Sequence, residues 1–463
     1  MKTRPLLPLL FLLFMPLLVS ATHINGGYIS YTVNPQNPLR YNFRFTMFHN
    51  DRSTADDPVV QVSMGDGTTA SVVRKEQLDY GNYASIGIYE WEHSYAQQGT
   101  YTVSWSGSNR NPGIVNIPGN SDQKSYHVHT QVQARWTNVN SHSVRTIVPA
   151  PVEALVGEPF SMNLIAYDGD GDRLTYELLP TAYTNPEGVP GPIPGYQFPA
   201  GLTISKFGEL RWQNPTVKGP YAISVKITEH RGEQPVGYTI VDLQLDVVER
   251  TDQPQLTLVN SNRLTVNYDG STLARPGVPL KLEYYLEQPA GNSSPLQAVP
   301  FSDLDTLGLA SPALAVRDTT NGLAVTLTFT PGPDLIREEA YIMGLRGMVL
   351  KSQGPSTTQF SYDWDFAYVV VGEQQPTSVP DEKGNLRLLA YPNPVTDWFT
   401  LEAPALPDLQ LQLYSINGQQ VTSFKLSAGK NTIKRPTGLA AGVYTYRLFS
   451  KKDVIKTVRL VLQ

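Results

Sequence analysis

The sequence of 463 residues contains no cysteine. This absence excludes a disulfide scaffold, a thiolate zinc site, a cysteine nucleophile and lipid attachment through cysteine. The stability of the protein must therefore come from apolar cores of ordinary size.

Charged residues are few, and their balance is slightly acidic. Asp, Glu, Lys and Arg make up 17% of the chain, and the formal net charge is −5. Proteins that bind nucleic acid use a basic stripe to displace counterions from the phosphates. The composition therefore predicts that nucleic acid is not a partner.

Long apolar runs are absent except at the amino terminus. There, two basic residues precede "PLLPLLFLLFMPLLV", and Val19 and Ala21 occupy the −3 and −1 positions of a cleavage site. These features predict a secretory signal peptide over residues 1–21. The alternative is a transmembrane helix, but this run is shorter than the roughly 20 apolar residues that a span needs, and two prolines interrupt it. We therefore expect export, and no membrane-spanning segment in the mature chain.

Helical periodicity is nearly absent, whereas apolar and polar residues often alternate with period two. The segments "VVQVSM", "ELRW", "YTIVDLQLDVVE", "LAVTLTF" and "DLQLQLY" predict strands with one buried face. The 36 glycines, 37 prolines and 25 tyrosines favour short strands and tight turns over helices. The expected fold class is all-β.

One short motif recurs along the chain. Gly99, Gly219 and Gly442 begin the segments "GTYTVSW", "GPYAISV" and "GVYTYRL", and "EEAYIMGL" around Tyr341 is a fourth copy without the glycine. A glycine turn that leads into a late strand, whose first aromatic residue anchors the sheet corner, is typical of immunoglobulin-like sandwiches. The four copies predict four tandem immunoglobulin-like β-sandwich domains.

The predicted domain boundaries follow these copies and the changes in composition. A polar stretch, "GEQQPTSVPDEKGN", precedes the last copy and is typical of a linker. The expected segments are sandwich domains at 22–150, 151–250 and 251–372, a linker at 373–386 and a C-terminal sandwich at 387–463.

Two of the predicted domains resemble known sandwich types. In the first, "VSMGDGTTASV" and "WEHSYAQQGTYTVSW", with the turn Gly65–Gly67 and the pattern His93–Val103, resemble the polycystic-kidney-disease (PKD) domain. The segment "THINGGYISY" resembles the start of PKD-containing surface proteins that gliding Gram-negative bacteria secrete. The second domain, which contains "GEPFSMNLIAYDGDGDRLTYELL", resembles a cadherin-like or immunoglobulin-like repeat. The prediction of the third domain depends mainly on its strand pattern.

The C-terminal segment resembles the sorting domain of type IX secretion. "YPNPVTDWFTL", "LQLYSINGQQV", "GLAAGVYTYRL" and "KKDVIKTVRLVLQ" match that domain in order and spacing. The resemblance implies that an outer-membrane translocon reads the domain, which is usually cut off when the cargo is released or anchored to surface polysaccharide. The alternative is one more structural sandwich. By this resemblance, the residues that we expect to carry the sorting signal are Tyr391, Pro392, Asn393, Pro394, Asn417, Gly418, Gly442 and Tyr444.

Asn417 and Gly418 also predict a strand register. A two-residue Asn-Gly loop suits a type I′ turn and would pair Ile416 with Gln419. Counting outward from this turn places Leu411 opposite Phe424 and Leu409 opposite Leu426. In this register the four side chains share one buried face. A one-residue slip would turn every side chain of the strand to the opposite face.

The segment "YDGDGDRL" is the candidate metal site. Asp168, Asp170 and Asp172 stand at alternate positions, and calcium prefers several carboxylate oxygens. Cadherin-like domains often bind calcium between neighbours, so the resemblance implies a calcium site here. Glu158, Asp242 and Asp246 could supply further oxygens, although no spacing rule selects them. An EF-hand is excluded, because Arg173 falls where that loop needs glycine. The alternative is a solvated acidic turn without a metal.

Other candidate residues favour structural roles. His127 and His129 share a strand face at a spacing that a metal could use, but without an evident third ligand they favour a solvated edge strand. Asp363 and Asp365 are the carboxylate pair to consider for glycoside hydrolysis. Asp66 lies in a turn where aspartate commonly bonds its own backbone.

These observations predict an exported, adhesive or structural protein of the cell surface rather than an enzyme. The alternative is a glycan-binding accessory protein. The expected partners of this protein are the type IX translocon and surface polysaccharide or proteins. Calcium is the only cofactor that the sequence suggests.

Overall fold

A computed structural model describes most of the chain. The described residues are 24–53, 55–137, 140–148, 152–267, 269–337, 339–353, 358–372, 390–391, 395–403, 407–415, 419–450 and 453–462. They form 33 strands, three short 3-10 helices and one α-helix of four residues. The predicted all-β fold class is therefore confirmed. The predicted signal peptide and linker lie outside the described residues.

The chain divides into two compact units. The first comprises Met1–Thr265 and Ser271–Gly372, and the second comprises Val266–Gly270 and Glu373–Gln463. The finer division of the first unit into three sandwich domains stays a prediction.

Seven antiparallel strands open the first unit, in the sheet order β1-β2-β5-β4-β3-β6-β7. In "YNFRF" the residues Tyr41, Phe43 and Phe45 point to one face because strand side chains alternate, and all three are at most 2% exposed. These aromatic rings fill the core under this sheet. The strands are β1 (Ile24–Asn34), β2 (Asn37–Asn50), β3 (Val59–Ser63), β4 (Thr69–Gly81), β5 (Ala84–Ser94), β6 (Gly99–Asn109) and β7 (Ser125–Ala134), with a 3-10 helix at Ser121–Gln123 between the last two.

Eleven strands follow, and the longest of them extends the first sheet. Strand β18 pairs with β1, β7, β9 and β17. At the β1 contact a Cβ on Gly26 would lie 2.3 Å from the carbonyl oxygen of Asp242, so this close approach requires glycine. The strands are β8 (Arg145–Thr146), β9 (Val152–Leu155), β10 (Phe160–Asn163), β11 (Ala166–Tyr167), β12 (Arg173–Leu179), β13 (Ala182–Thr184), β14 (Pro190–Pro192), β15 (Leu202–Ile204), β16 (Glu209–Trp212), β17 (Gly219–Arg231) and β18 (Gln234–Val248).

The last part of the first unit is a sandwich of two four-stranded sheets, β19-β21-β24-β23 and β20-β26-β25-β22. The alternating segment "GLAVTLTF" buries Leu323, Val325, Leu327 and Phe329 between them, as its period predicts. The elements are β19 (Gln255–Leu258), β20 (Thr272–Ala274), β21 (Leu280–Glu287), β22 (Leu296–Ser302), α1 (Asp303–Thr306), β23 (Ala313–Thr319), β24 (Gly322–Phe329), β25 (Tyr341–Gln353) and β26 (Thr358–Val371), with 3-10 helices at Ser261–Arg263 and Pro333–Leu335.

Buried contacts hold this sandwich against the preceding strands. The indole Nε1 of Trp364 donates a hydrogen bond of 2.5 Å to the carbonyl oxygen of Ser161. The backbone N–H of Glu153 donates to the hydroxyl of Tyr362 at 2.8 Å. The ring of Phe207 stacks on Tyr368 with 4.3 Å between centroids. The three sheet regions of the first unit are therefore packed as one body.

The second unit is a small sandwich with the sheets β27-β28-β31 and β30-β29-β32-β33. Its core includes Phe399, Leu411 and Tyr446, all fully buried. The strands are β27 (Ala390–Tyr391), β28 (Trp398–Ala403), β29 (Leu409–Tyr414), β30 (Gln420–Lys425), β31 (Gly429–Lys434), β32 (Gly442–Ser450) and β33 (Asp453–Leu462).

The register of β29 and β30 follows the prediction away from the turn. Leu411 lies opposite Phe424, and Leu426 donates its N–H to the carbonyl oxygen of Leu409 at 3.0 Å. Next to the turn, an irregularity places Tyr414 opposite Gln420, so the simple two-residue count does not extend through this end of the hairpin. The turn residues Asn417 and Gly418 lie outside the described residues.

Candidate functional site

The acidic loop between β11 and β12 is closed by its first aspartate. One carboxylate oxygen of Asp168, Oδ1, accepts the backbone N–H groups of Asp170 and Asp172, each at 2.9 Å. Gly171, with φ +79°, supplies the left-handed step that this tight loop needs. As a result the three predicted aspartates converge, with one oxygen from each within 4.8 Å of the others.

Arg231 at the end of β17 neutralises two of these aspartates. Its Nε donates to Asp172 Oδ1 at 2.9 Å, and its Nη2 donates to Asp172 Oδ2 at 2.7 Å. The same Nη2 lies 3.4 Å from Asp170 Oδ2. Asp170 also accepts the backbone N–H groups of Ser141 and His142, at 2.6 and 3.1 Å. The loop is therefore tied to two other segments of the first unit.

The remaining aspartate faces a buried glutamate. Glu229 on β17 is 0% exposed, and its Oε1 accepts a hydrogen bond of 3.2 Å from the side-chain amide of Asn140. Its Oε2 and the Oδ2 of Asp168 are buried, and neither has a hydrogen-bond donor. Burial, followed by the nearby charge of Asp168, raises the pKa of Glu229 well above its ordinary value, and burial also raises the pKa of Asp168. Two carboxylates in this setting favour a shared proton or a cation between them.

These residues fit a calcium ion in part. The unpartnered oxygens of Asp168 and Glu229 are suitable hard ligands, but the carboxylates of Asp170 and Asp172 already contact a guanidinium. Of the further donors that we expected, Asp242 forms an ion pair with Arg110 at 2.9 Å instead. The calcium site stays a prediction, with Glu229 as the donor that the structure adds.

A cleft of about 510 Å³ lies beside the acidic loop. Its lining includes Asp172, Arg173 and Arg231 and, from a later part of the chain, Asp303 and Arg337. Arg337 and Asp303 form an ion pair of 2.7 Å. The lining also includes the aromatic residues Tyr167, Tyr176 and Phe207. A cleft lined by aromatic residues and by paired charges of both signs suits a polar ligand.

The predicted sorting-signal residues that the structure describes lie on two strands of the second unit. Tyr391 on β27 is opposite Thr400, and Gly442 begins β32 opposite Leu462. The hydroxyl of Tyr444 donates to the carbonyl oxygen of Ala440 at 3.0 Å. Pro392, Asn393 and Pro394 lie outside the described residues.

One histidine prediction was wrong. Strand β7 is not an edge, because it lies between β6 and β18, and His127 is only 3% exposed. His127 Nδ1 is 2.9 Å from the hydroxyl of Ser106. Burial lowers the pKa of His127 to about 4. The short period-two pattern gave the strand correctly, but it could not show that β18 would pair with β7 at Thr130 and Gln131 or that Thr184 would lie beside His127.

The carboxylates of Asp66 and Asp363, which the sequence singled out, both accept backbone N–H groups. Asp66 Oδ1 accepts the backbone N–H of Thr68 at 3.0 Å, as the turn predicts, and its Oδ2 is 2.8 Å from His93 Nε2. Asp363 accepts the backbone N–H groups of Leu256 and Trp364 at 2.8 and 2.9 Å. Burial raises the pKa of Asp363 to about 6.

Sequence reasoning did not find Asn140, Glu229 or Arg231 as members of the acidic site. Asn140 and Glu229 lie 89 residues apart in the chain. A signal was present in "ITEHRGEQ", where charged residues interrupt an apolar alternation at the end of a strand. The partner of such a charge is set by strand pairing, so the pattern alone could not name it.

Comparison with known families identifies the C-terminal domain. A family described as "Secretion system C-terminal sorting domain" matches residues 389–463. The sorting domain that the motifs predicted is therefore confirmed, and it indicates export through type IX secretion to the cell surface or beyond. In the described part of the chain, no helix has the length and apolar character that a membrane span requires.

The chain is also similar to solved structures with tandem cadherin or immunoglobulin-like domains. Domains EC1-2 of human protocadherin-24 show 13% identity and a TM-score of 0.16, covering 50% of this chain and 99% of that one. Immunoglobulin domains 1–4 of Sidekick-1 show 12% identity and a TM-score of 0.17, covering 100% and 97%. The cadherin-like domains 1 to 4 of zebrafish RET show 10% identity and a TM-score of 0.17, covering 88% and 93%. No curated protein matches the sequence.

Proposed function

We propose that this type IX cargo is an adhesive or structural protein of the outer surface of a Gram-negative bacterium. The sorting domain at 389–463 carries the proposal, because it delivers the rest of the chain outside the cell. The packing of the first unit supports it. Hydrogen bonds such as that from Trp364 to Ser161 join the sheets of this unit, which suits a protein that is loaded when it holds a ligand.

We propose the order of export as follows. Residues 1–21 direct the chain into the periplasm as a signal peptide, and the translocon of type IX secretion then reads the C-terminal domain. Surface polysaccharide or surface proteins are the proposed partners after export. The protein acts by binding rather than by catalysis. Asp363, one of the two carboxylates considered for glycoside hydrolysis, accepts two backbone N–H groups, and this supports a structural role for it.

The experiment is an attachment assay in a type IX-competent host. Cells that lack the protein should attach to surfaces, or to each other, less than wild-type cells. A variant that lacks Tyr391–Gln463 is the matched control, because it keeps the first unit but loses the sorting domain. It should behave like the deletion. Equal attachment by all three strains would refute the proposal.

A second candidate function is glycan binding, and the cleft beside the acidic loop favours it. The aromatic side chain of Tyr167 beside the paired charges of Asp172 and Arg231 suits a sugar ring and its hydroxyl groups. A glycan array with the purified protein tests this candidate. Selective binding that is lost on Tyr167→Ala would support it, and the absence of selective binding would leave adhesion through protein partners.

A further inference from the structure

Strand β23 forms an open edge of the sheet β19-β21-β24-β23. Within the described part of the chain its only sheet partner is β24, and the pairing runs from Ala313 to Thr319 without a register shift. Six of its seven residues are exposed. Proteins usually protect such an edge with lysine, proline or a bulge, and "ALAVRDT" contains neither residue. A regular, exposed edge offers its free backbone groups to another strand.

The inner face of β23 is apolar and has little cover. Leu314 lies opposite Leu327 and Val316 lies opposite Val325, and both of these β24 residues are 1% exposed in the core. Cross-strand partners share a face of the sheet, so Leu314 and Val316 also point to the core side. They are nevertheless 39% and 47% exposed. The core of this sandwich therefore ends short of β23 and leaves two apolar side chains for a partner.

The hairpin of β23 and β24 determines which backbone groups of β23 point outward. A loop of two residues connects Thr319 to its partner Gly322. The pair that closes such a loop is hydrogen-bonded, and hydrogen-bonded pairs then alternate along the two strands. Thr319 and every second residue before it therefore bond to β24. The N–H and C=O groups of Leu314, Val316 and Asp318 point to the open edge.

We propose that two copies of this chain pair antiparallel through β23, around a two-fold axis at Ala315. In this register Leu314 of each copy lies opposite Val316 of the other, and Ala315 lies opposite its own counterpart. The outward N–H and C=O groups of Leu314 and Val316 then form about four hydrogen bonds between the copies. The two four-stranded sheets become one continuous sheet.

The apolar side chains select both the register and the partner. A two-fold axis at Val316 would also match the backbone groups, but it would place Leu314 opposite the charged Asp318. The axis at Ala315 pairs apolar residues twice instead. A second copy is therefore the proposed occupant, because the same short segment supplies both halves of every contact, as a two-fold interface requires. The inference does not depend on the adhesive role.

The charges near β23 complement each other in this register. Arg317 lies opposite Ala313 of the second copy, and its diagonal neighbour is Ser311 of that copy. The hydroxyl of Ser311 donates to the carboxylate of Asp305, so an acidic group comes near the arginine at each end of the pair. The two Arg317 side chains lie four positions apart along the strands, roughly 13 Å. This separation exceeds the Debye length of about 8 Å at physiological ionic strength.

Analytical ultracentrifugation of the full chain tests the pairing. The edge forms a small interface, so we expect a dimer with a dissociation constant in roughly the micromolar range. Val316→Lys puts a charge opposite Leu314 and should weaken dimerisation by about ten-fold or more. The variant should fold, because Val316 is exposed. Val73→Lys is the matched control, since it changes an exposed valine of strand β4. It should dimerise like the wild type.

Single-cysteine variants test the register independently of Val316→Lys, because the chain has no cysteine of its own. Ala315 and its counterpart form a non-hydrogen-bonded pair with about 4.5 Å between Cα atoms, which a disulfide can bridge. Ala315→Cys should therefore cross-link two copies under mild oxidation. Ala313→Cys is the matched control on the same exposed face. Its two sulfur-bearing residues would lie roughly 13 Å apart or more, too far for a disulfide.

A non-reducing gel separates the cross-linked dimer from the monomer. Cross-linking by Ala315→Cys and not by Ala313→Cys would support the proposal. Equal cross-linking by the two variants, or a dimer that Val316→Lys leaves unchanged, would overturn it. A wild-type protein that stays monomeric up to about 100 μM would also overturn it, and the edge would then be open to a strand of another protein.

Discussion

Asn82, at the tip of the β4–β5 hairpin, exchanges two hydrogen bonds with the backbone of Phe360. Its Nδ2 donates to the Phe360 carbonyl oxygen and its Oδ1 accepts the Phe360 N–H, both at 2.8 Å, across 278 residues of sequence. The backbone N–H of Asn82 donates to the Thr358 carbonyl oxygen, also at 2.8 Å. The amide side chain thus acts like a short piece of strand added to β26, and it joins the two ends of the first unit.

Replacing Asn82 should weaken that junction in a graded way. Asn82→Gly removes the two side-chain hydrogen bonds, and we expect a loss of about 2 kcal/mol of unfolding free energy. Asn82 has φ +50°, so Asn82→Ala should cost about 1 kcal/mol more through backbone strain. Urea unfolding measures both values. Hydrogen exchange at Phe360 should accelerate in each variant, and unchanged exchange there would contradict the assigned role.

Truncation at Tyr391 should abolish export. The sorting domain occupies 389–463 and forms a separate compact unit, so the first unit should still fold without it. In a type IX-competent host we expect the truncated protein to remain in the periplasm. Cell fractionation measures this outcome. Normal levels of the truncated protein outside the cell would contradict the role of the domain as the export address.

Calcium should raise the melting temperature of the protein, and a chelator should reverse the effect. The unpartnered oxygens of Asp168 and Glu229 are the expected hard ligands. Glu229→Gln should reduce the calcium response, because it removes one anionic ligand.

The control for this prediction is Arg231→Gln. It releases Asp170 and Asp172 from their guanidinium partner, so calcium should bind this variant more tightly than the wild type. If calcium changes the melting temperature of neither protein, the aspartates form a metal-free turn that Arg231 holds together.

The buried imidazole of His127 should make the protein sensitive to acid. Burial lowers its pKa from 6.5 to about 4, so between these values the unfolded chain binds a proton that the folded protein excludes. The free energy of unfolding is therefore unaffected by this group above pH 6.5. It decreases as the pH falls toward 4, by up to about 3 kcal/mol in total.

His127→Asn tests this sensitivity. The variant keeps a polar group near Ser106 but cannot take up the proton. Its unfolding free energy should fall less steeply than that of the wild type between pH 7 and pH 4, as urea titrations at each pH would show. Parallel pH profiles would contradict the assignment.

The recurrent Gly-x-Tyr motif should contribute to stability through its hydroxyl group. Tyr101, Tyr221 and Tyr444 each donate to the carbonyl oxygen four residues earlier, at 2.9–3.0 Å. Tyr221→Phe should therefore lower the unfolding free energy by about 1 kcal/mol. Tyr285→Phe is the control, because its hydroxyl makes no hydrogen bond within the described part of the chain. Equal effects of the two substitutions would show that the bond contributes nothing.

The sequence alone predicted the features that depend on residues close together in the chain. Strand alternation gave the all-β class, and the sorting motifs gave the export route. The Gly-x-Tyr copies gave the sheet corners that Tyr101, Tyr221 and Tyr444 form, because each corner closes within a few residues. The register of Leu411 against Phe424 was also local, since it depends on one hairpin.

The tertiary structure alone decided which distant groups meet. The sequence determined that Asp168, Asp170 and Asp172 share one loop, but strand pairing brought Glu229 and Arg231 to it. Strand β18 likewise pairs with β7 at Thr130 and Gln131, and Thr184 lies beside His127, so the predicted edge strand is covered by segments from later in the chain. The physical reason is that a period of two specifies which face of a strand is buried, whereas the partner on that face depends on how separate segments pack.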